Sequence, residues 1–456
     1  MEFIYLFVIL AFFSTFITIF SLRHRSNDSV KLPPRSFGWP IIGESIEFLF
    51  GKPNFFLNYW LKKYSQEIFK TKIFGEKTAV ICGPNGNKFL FSNERKIFTS
   101  FLPHSKKRLF LSSKLELAAA PPVPPPHAVA SMAADDVKEV IRTPGFSSLR
   151  HCRVYRLAKT LTLSISCQIF LGMENPDRIA RLVHYFDDVT LGLDSIMVNF
   201  PGTNFYRAGK VADAIQRELM AVVRERRAAM VGDGGAMKQD ILSHMIVVSD
   251  PTGKGMGEAE IADKMMGLLV AGYANVAVTI SFFMKFVGES LEIYNKQLEI
   301  LKDKKAGEFL DWNDMSKMKY SWNVMCEVMR LVSSQQETFR EVLNDFTYAG
   351  YTISKDWKVY WKVNSTHKNS KYFRDPEKFD LSRYEGGEAP APYTYVSFGG
   401  GPRLCPRKEY ARLVVLTFIH NVVKKCKWAV LFPKEKVLGD MVPVPEKGVP
   451  IRLHPH

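Results

Sequence analysis

The chain has 456 residues, 46% hydrophobic and 24% charged, which is globular composition and excludes wholesale disorder. Its 29 glycines and 25 prolines follow no three-residue period, so a collagen-like rod is excluded. Lysine and arginine outnumber aspartate and glutamate by 62 to 46, a net +16 dispersed in short clusters such as Lys106-Lys107-Arg108. Without a nucleic-acid motif, that excess points to a membrane face or an acidic protein and not to nucleic acid. None of the six cysteines forms a C-x-x-C pair, so neither a zinc site nor a disulfide framework is indicated, and a reducing compartment fits.

Phe3 to Phe20 carries no charge and is mostly Phe, Ile, Leu and Val. Its length nearly spans a bilayer, and Arg23, Arg25 and Lys31 behind it favour a cytoplasmic C-terminal side. A cleaved signal peptide is the rival reading, disfavoured by Glu2 in place of a basic n-region and by the missing A-x-A site. The expectation is a transmembrane anchor at 3–20, a basic, proline-rich hinge at 21–40 and one large domain at 41–456. The prolines of Lys31-Leu32-Pro33-Pro34-Arg35 and Gly38-Trp39-Pro40 stiffen that hinge.

Within the body, Ile68 to Phe74 and Thr78 to Cys82 flank Gly75-Glu76 and predict a hairpin. Ala118 to Asp135, with seven Ala and five Pro, forbids a regular helix across Pro121 to Pro126; it reads as a polyproline linker or disordered loop, or as a stretch foreign to the fold. Val211, Ile215, Leu219 and Val222 repeat at helical spacing within Tyr206 to Met230, closed by Gly232 to Gly235. Met265 to Met284 holds twenty residues without a charge, long enough to span a membrane, yet it contains Gly267, Gly272, Tyr273, Asn275, Thr279 and Ser281. A helix apolar all round can equally be the buried axis of a helical domain, and periodicity leaves both open. A second hairpin is predicted at Phe346 to Tyr360, with Gly350 and Lys355-Asp356 as turns. The coarse reading is mainly α with small β-sheets.

Chemistry is concentrated near the C-terminus. Glu327 and Arg330 stand i, i+3 in a helical stretch from Tyr320 to Leu331 and share a face. Phe379 to Tyr384 adds Arg383. Phe398-Gly399-Gly400-Gly401-Pro402-Arg403-Leu404-Cys405 is a glycine-rich loop that delivers one thiol. Glycines there permit close approach to a flat ligand, and the arginine favours an anion and the thiolate. A thiolate so placed is the axial ligand expected of a haem that cleaves dioxygen.

The order E-x-x-R, F-x-x-x-R, F-x-x-G-x-R-x-C resembles the cytochrome P450 superfamily over about residues 32–110 and 153–456. Phe74 to Glu94, Phe339 to Gly350 and Pro392 to Leu413 look like the plant branch that oxidises triterpenes such as β-amyrin; related plant enzymes act on taxane diterpenes. The resemblance implies the P450 fold with an N-terminal transmembrane helix, and haem b with Cys405 as proximal ligand. It implies Phe398 and Gly401 in the cofactor loop, Arg403 and Arg340 at the propionates, and Glu327, Arg330 and Arg383 as a buried charge network. Met265 to Met284 becomes the helix over the distal haem face. The implied partners are NADPH-cytochrome P450 reductase, a hydrophobic terpenoid and the endoplasmic reticulum membrane, with the catalytic domain cytosolic.

The chain departs from the family pattern at several places. On the central helix, Ala271 and Gly272 agree and leave room for dioxygen, but Ala274 stands at the acid position and Asn275 at the threonine position. Arg407 replaces the glycine two residues after the cysteine, Ser333-Ser334 replaces Pro-Pro, and Arg374 replaces a proline. Between Trp60 and Trp312 there is no tryptophan, so the propionate-binding Trp/Arg helix expected within 111–152 is missing and that segment is aberrant. Two other readings therefore share the fold. One is a degenerate copy without turnover. The other is a reductase-independent rearrangement enzyme, although its usual insertion in the cysteine loop is absent.

Overall fold

The structure, a computed structural model, describes residues 31–39, 43–50, 67–102, 152–193, 198–232, 240–248, 255–300, 312–387, 390–439 and 442–455, with positions 14, 59, 60, 63 and 195. The expected anchor at 3–20 lies outside the described residues, apart from Ser14, and so does the Ala/Pro-rich segment at 111–152, apart from Cys152.

Strands β1 (Ile68–Ile73) and β2 (Glu76–Ile81) pair antiparallel across Phe74 and Gly75, both at positive φ (52° and 80°). A two-residue turn of that hand matches the strand twist. Helix α1 (Gly83–Ser92) follows, then β3 (Phe98–Phe101) and the two-residue β4 (Cys152–Arg153). Helices α2 (Val154–Leu171), α3 (Pro176–Leu193), α4 (Asn204–Gly232), α5 (Glu258–Gly288) and α6 (Lys319–Leu331) form the main body. Then come β5 (Glu337–Val342), β6 (Phe346–Tyr348), β7 (Tyr351–Ile353) and β8 (Lys358–Lys362). Helix α7 (Lys408–Lys425), β9 (Cys426–Val430), β10 (Val437–Leu438), β11 (Val444–Pro445) and β12 (Pro450–Pro455) complete the chain.

The larger sheet runs β1-β2-β8-β5-β3, with β2 and β8 parallel and the other pairs antiparallel. This revises the second hairpin. Gly350 does turn β6 into β7, but the turn at Lys355-Asp356 sends the chain out of that hairpin, so β8 joins the larger sheet. Residues 31–39, inside the expected hinge, tie to the β6-β7 hairpin and to β1 of the larger sheet. Thr352 donates its N–H to Lys31 O at 2.9 Å, Lys70 to Pro34 O at 3.1 Å, and buried Arg35 pairs with Glu44.

Helix α5 is the axis. Glu258 and Glu260 begin it and Lys285 ends it, each sign favourable to the helix dipole. Between them 83% of its most apolar stretch is buried, against α2, α4, α6 and α7, which identifies it as a core helix. The polar groups of Tyr273 on it are answered inside. Tyr273 Oη donates to Phe186 O at 3.0 Å and shares a 2.7 Å bond with Thr190 Oγ1, while Thr162 Oγ1 donates to Tyr273 O at 3.0 Å. Helix α2 stops at Gly172 in the left-handed region (φ 56°), whose N–H donates to Gln168 O at 2.8 Å as in an αL end.

Glu327 and Arg330 sit on α6 with no side-chain exposure and form a two-pronged pair, both contacts at 2.8 Å. Arg383 reaches Glu327 Oε1 at 3.4 Å, and the Asp380 N–H donates to the same oxygen at 2.9 Å. Arg330 also donates to the carbonyls of His367, Pro376 and Lys378. Truncating one member of such a buried set leaves an uncompensated charge. Glu327→Gln is therefore expected to lower unfolding free energy by about 3–5 kcal/mol in chemical denaturation. Arg374→Ala, at a side chain 93% exposed, should leave stability unchanged.

Candidate functional site

A cavity of about 370 Å³ opens between α5 and the cysteine loop. Helix α5 contributes Leu268, Ala271, Gly272 and Asn275 to its walls, and β5 contributes Arg340. From the loop come Phe398, Gly399, Arg403, Cys405 and Arg407. Polar backbone bonds close the loop on itself. Gly399 N–H donates to Val396 O at 2.9 Å, Leu404 to Gly401 O at 3.0 Å, and Cys405 to Phe398 O at 2.9 Å. The ring of Phe398 stacks with Trp322 of α6 at 6.3 Å between centroids.

The glycines of this loop serve a neighbour more than the cavity. Gly401 has φ 62°, and a Cβ there would lie 2.2 Å from Phe91 O; one on Gly400 would lie 2.4 Å from the Phe91 ring. Close approach is real, but the partner is the end of α1. Gly399 is the glycine of the loop that lines the cavity. Gly272 is similar: a Cβ there would meet the Phe170 ring and Ser166 Oγ at 3.2 Å and Arg407 Nη1 at 3.5 Å. The space beside it is already taken by α2 and Arg407.

Cys405 is partly buried. Burial pushes its thiol above the ordinary value, partly offset by the Arg407 N–H and by that residue's positive charge. Such a thiol ionises when a metal cation replaces its proton. The other five cysteines are free and buried, and none of them lines the cavity.

Arg403 and Arg340 come together on one carboxylate that the sequence motifs did not single out. Glu94, 1% exposed, accepts from Arg340 Nε at 2.8 Å and from Arg403 Nε. Arg340 Nη1 also donates to Thr338 Oγ1 at 2.7 Å. The only signal for Glu94 was indirect: two arginines beside an apolar space require an anion.

On α5, Asn275 Nδ2 donates to Ala271 O at 3.2 Å, and Asn275 Oδ1 is buried without a partner among the described residues. Ala274 is buried and brings no acid. Thr279 does line the cavity, but its Oγ1 donates to Asn275 O at 2.9 Å.

A cytochrome P450 family model matches residues 127–448, from inside the Ala/Pro-rich segment to near the end of the chain. The chain belongs to the cytochrome P450 family. Among curated relatives, a beta-amyrin 28-monooxygenase of Medicago truncatula is 43% identical, covering 98% of this chain and 98% of the relative. One of Kalopanax septemlobus is also 43% identical, covering 99% and 98%. A beta-amyrin 6-beta-monooxygenase of Solanum lycopersicum is 39% identical, covering 96% and 95%. The solved structure of a retinoic-acid-bound cyanobacterial CYP120A1 matches with a TM-score of 0.80 at 24% identity, covering 94% of this chain and 100% of that one, which shows the fold. This P450 is a monooxygenase by class, and its cofactor is haem held through a cysteine thiolate.

The residues of this P450 fit that cofactor in their donor set: one thiol at the cavity, two arginines at its rim and a mostly apolar lining. Arg407 fits less simply. Its backbone (φ −108°, ψ 22°) needs no left-handed conformation, so replacing glycine strains no torsion there. Its side chain, however, enters the cavity, where Nη1 donates to Leu268 O at 3.0 Å.

The Glu94 hub gives a test. Glu94→Gln leaves two guanidiniums without their carboxylate, but Arg403 keeps 24% of its side chain in reach of water. The expected loss is up to about 3 kcal/mol in chemical denaturation, below that of a fully dry pair.

Proposed function

We propose that this chain is a membrane-anchored monooxygenase that inserts one atom of dioxygen into a C–H bond of a triterpene of the β-amyrin type. Its electrons come from NADPH through a flavin-containing cytochrome P450 reductase, at the endoplasmic reticulum membrane with the catalytic domain in the cytosol. Near-full-length similarity to beta-amyrin monooxygenases supports the substrate class. The uncharged stretch 3–20 supports the anchor, and the +16 charge supports docking on an acidic reductase.

In this reading Cys405 holds the haem iron, and Arg403 and Arg340 face the propionates. Phe398 and Gly401 shape the loop, while Glu327, Arg330 and Arg383 fix the ground it stands on. When bound, haem supplies dioxygen activation. The protein supplies an apolar wall along α5 that keeps bulk water from the reacting carbon, and a site for protons. That second provision is thin. Ala274 has no proton to give, Thr279 gives its own to a backbone carbonyl, and the Asn275 amide is engaged with Ala271 O. What Asn275 offers is the acceptor Oδ1, which can hold a water molecule but cannot itself donate. Ala271 and Gly272 act as small neighbours beside this position.

The observation that carries the reading is a single cysteine, Cys405, at a mostly apolar cavity that Arg340 and Arg403 also line. The test is the carbon monoxide difference spectrum of the reduced full-length chain, followed by a triterpene panel with reductase and NADPH. A thiolate-type Soret band that disappears in Cys405→Ser, with reductase-dependent product, is expected. No band would sink the enzyme reading in favour of a degenerate copy. Turnover of a hydroperoxide without reductase would replace it with a rearrangement enzyme. Separately, Asn275→Thr restores a hydroxyl, and product formed per NADPH oxidised is expected to rise roughly tenfold or more. An unchanged ratio would show that water already completes the relay.

A further inference from the structure

Arg407 begins on the cysteine wall of the cavity and ends on the opposite one. Its Nη1 donates to Leu268 O of α5 at 3.0 Å, and its guanidinium carbon lies 4.1 Å from the centroid of Phe170 on α2. It passes beside Gly272, where a Cβ would stand in ordinary contact 3.5 Å from Nη1. The loop, α5 and α2 therefore meet at one guanidinium. Its Nη2 is buried and has no hydrogen-bond partner among the described residues, and no carboxylate among them lies within ion-pair distance. A desolvated cation with one carbonyl and one ring face is under-compensated. Arg407 and Cys405 line the same cavity, so a cofactor bound through Cys405 shares that space with this side chain.

We propose that Arg407 is a strap across the haem site: it ties the cysteine loop to α5 in the cofactor-free chain and must release Leu268 O for haem to seat. This rests on the assignment of Cys405 as the haem ligand and goes beyond it. The strap has two effects. It keeps the loop docked when no cofactor holds it, and it opposes loading because haem binding breaks a charge-assisted hydrogen bond. Nothing in the loop backbone requires glycine at this position, so the effect belongs to the side chain.

The experiment is a haemin titration of the full-length, cofactor-depleted chain in detergent, followed by Soret absorbance, for wild type, Arg407→Gly and Cys405→Ser. Arg407→Gly is expected to bind haemin on the order of tenfold to a hundredfold more tightly than wild type, the cost of one hydrogen bond to a charged group. The depleted Arg407→Gly chain is also expected to be cut faster within 396–407 in limited proteolysis, because its loop has lost the tie. Should circular dichroism show that Arg407→Gly does not fold, Arg407→Met carries the same expectation, since it keeps aliphatic bulk and removes the donor. Equal affinities in wild type and variant, with Cys405→Ser losing the thiolate-type spectrum, overturn the strap and leave the ligand assignment standing. Weaker binding by the variant also overturns it, making Arg407 a residue that holds the cofactor. Haemin binding by neither chain overturns the strap and the haem assignment together.

Discussion

The dry pair between Glu327 and Arg330 is the constraint on which the proximal half of this P450 depends. Neither side chain has any exposure, so neither charge recovers hydration, and the pair survives only if each remaining donor and acceptor is met. The partners that meet them come from a stretch with little regular structure. His367, Pro376 and Lys378 offer carbonyls to Arg330, and Asp380 offers its N–H to Glu327. One helix-borne pair thus organises the irregular chain between β8 and the cysteine loop, where no sheet ladder could do so.

The arrangement continues to the loop through His367. Its ring stacks on Tyr395 at 5.2 Å, and its Nε2 accepts the Val396 N–H at 2.9 Å. Burial and the neighbouring Arg330 push its pKa down to about 3, so the imidazole stays neutral and keeps Nε2 as an acceptor at physiological pH. Val396 O in turn accepts from Gly399, and Phe398 O from Cys405. Hydrogen bonds joined by short stretches of chain connect the buried pair on α6 to the Cys405 backbone.

Legibility in the sequence followed the range of the interaction. The i, i+3 spacing of Glu327 and Arg330, the first hairpin (expected to turn at Gly75-Glu76 and turning one residue earlier, at Phe74-Gly75) and the periodicity of α4 are local, and a one-dimensional pattern records them. Helix α5 was read from Met265 to Met284 because charge stopped the hydropathy run. The helix extends from Glu258 to Gly288 because those terminal charges suit its dipole and do not end it. Glu94 could not be read: it meets Arg340 and Arg403 from 246 and 309 residues away, and nothing in its own neighbourhood announces it. The parallel docking of β8 beside β2 was hidden for the same reason. The glycine loop shows a subtler limit. Sequence can mark where a side chain is forbidden, but the object that forbids it, here Phe91, is a fact of packing.

Charge explains why the site is built this way. Four arginines, Arg340, Arg403, Arg407 and Arg412, line a mostly apolar cavity; among the described residues Glu94 answers the first two, and Glu409 lies 3.8 Å from Arg412. Unbalanced cations in such a space are costly unless anions enter. A haem brings two propionates, and an iron-bound cysteine brings a thiolate, so the missing negative charge arrives with the cofactor. Glu94 then explains how Arg340 and Arg403 stay in place beforehand: one buried carboxylate holds both, on rims contributed by β5 and by the cysteine loop. Among the described residues Arg407 has no such carboxylate in waiting. Its guanidinium is met there by Leu268 O and the face of Phe170, both across the cavity from the loop that carries it. The same electrostatic need that draws the cofactor in at one rim therefore pulls a side chain into its space at the other.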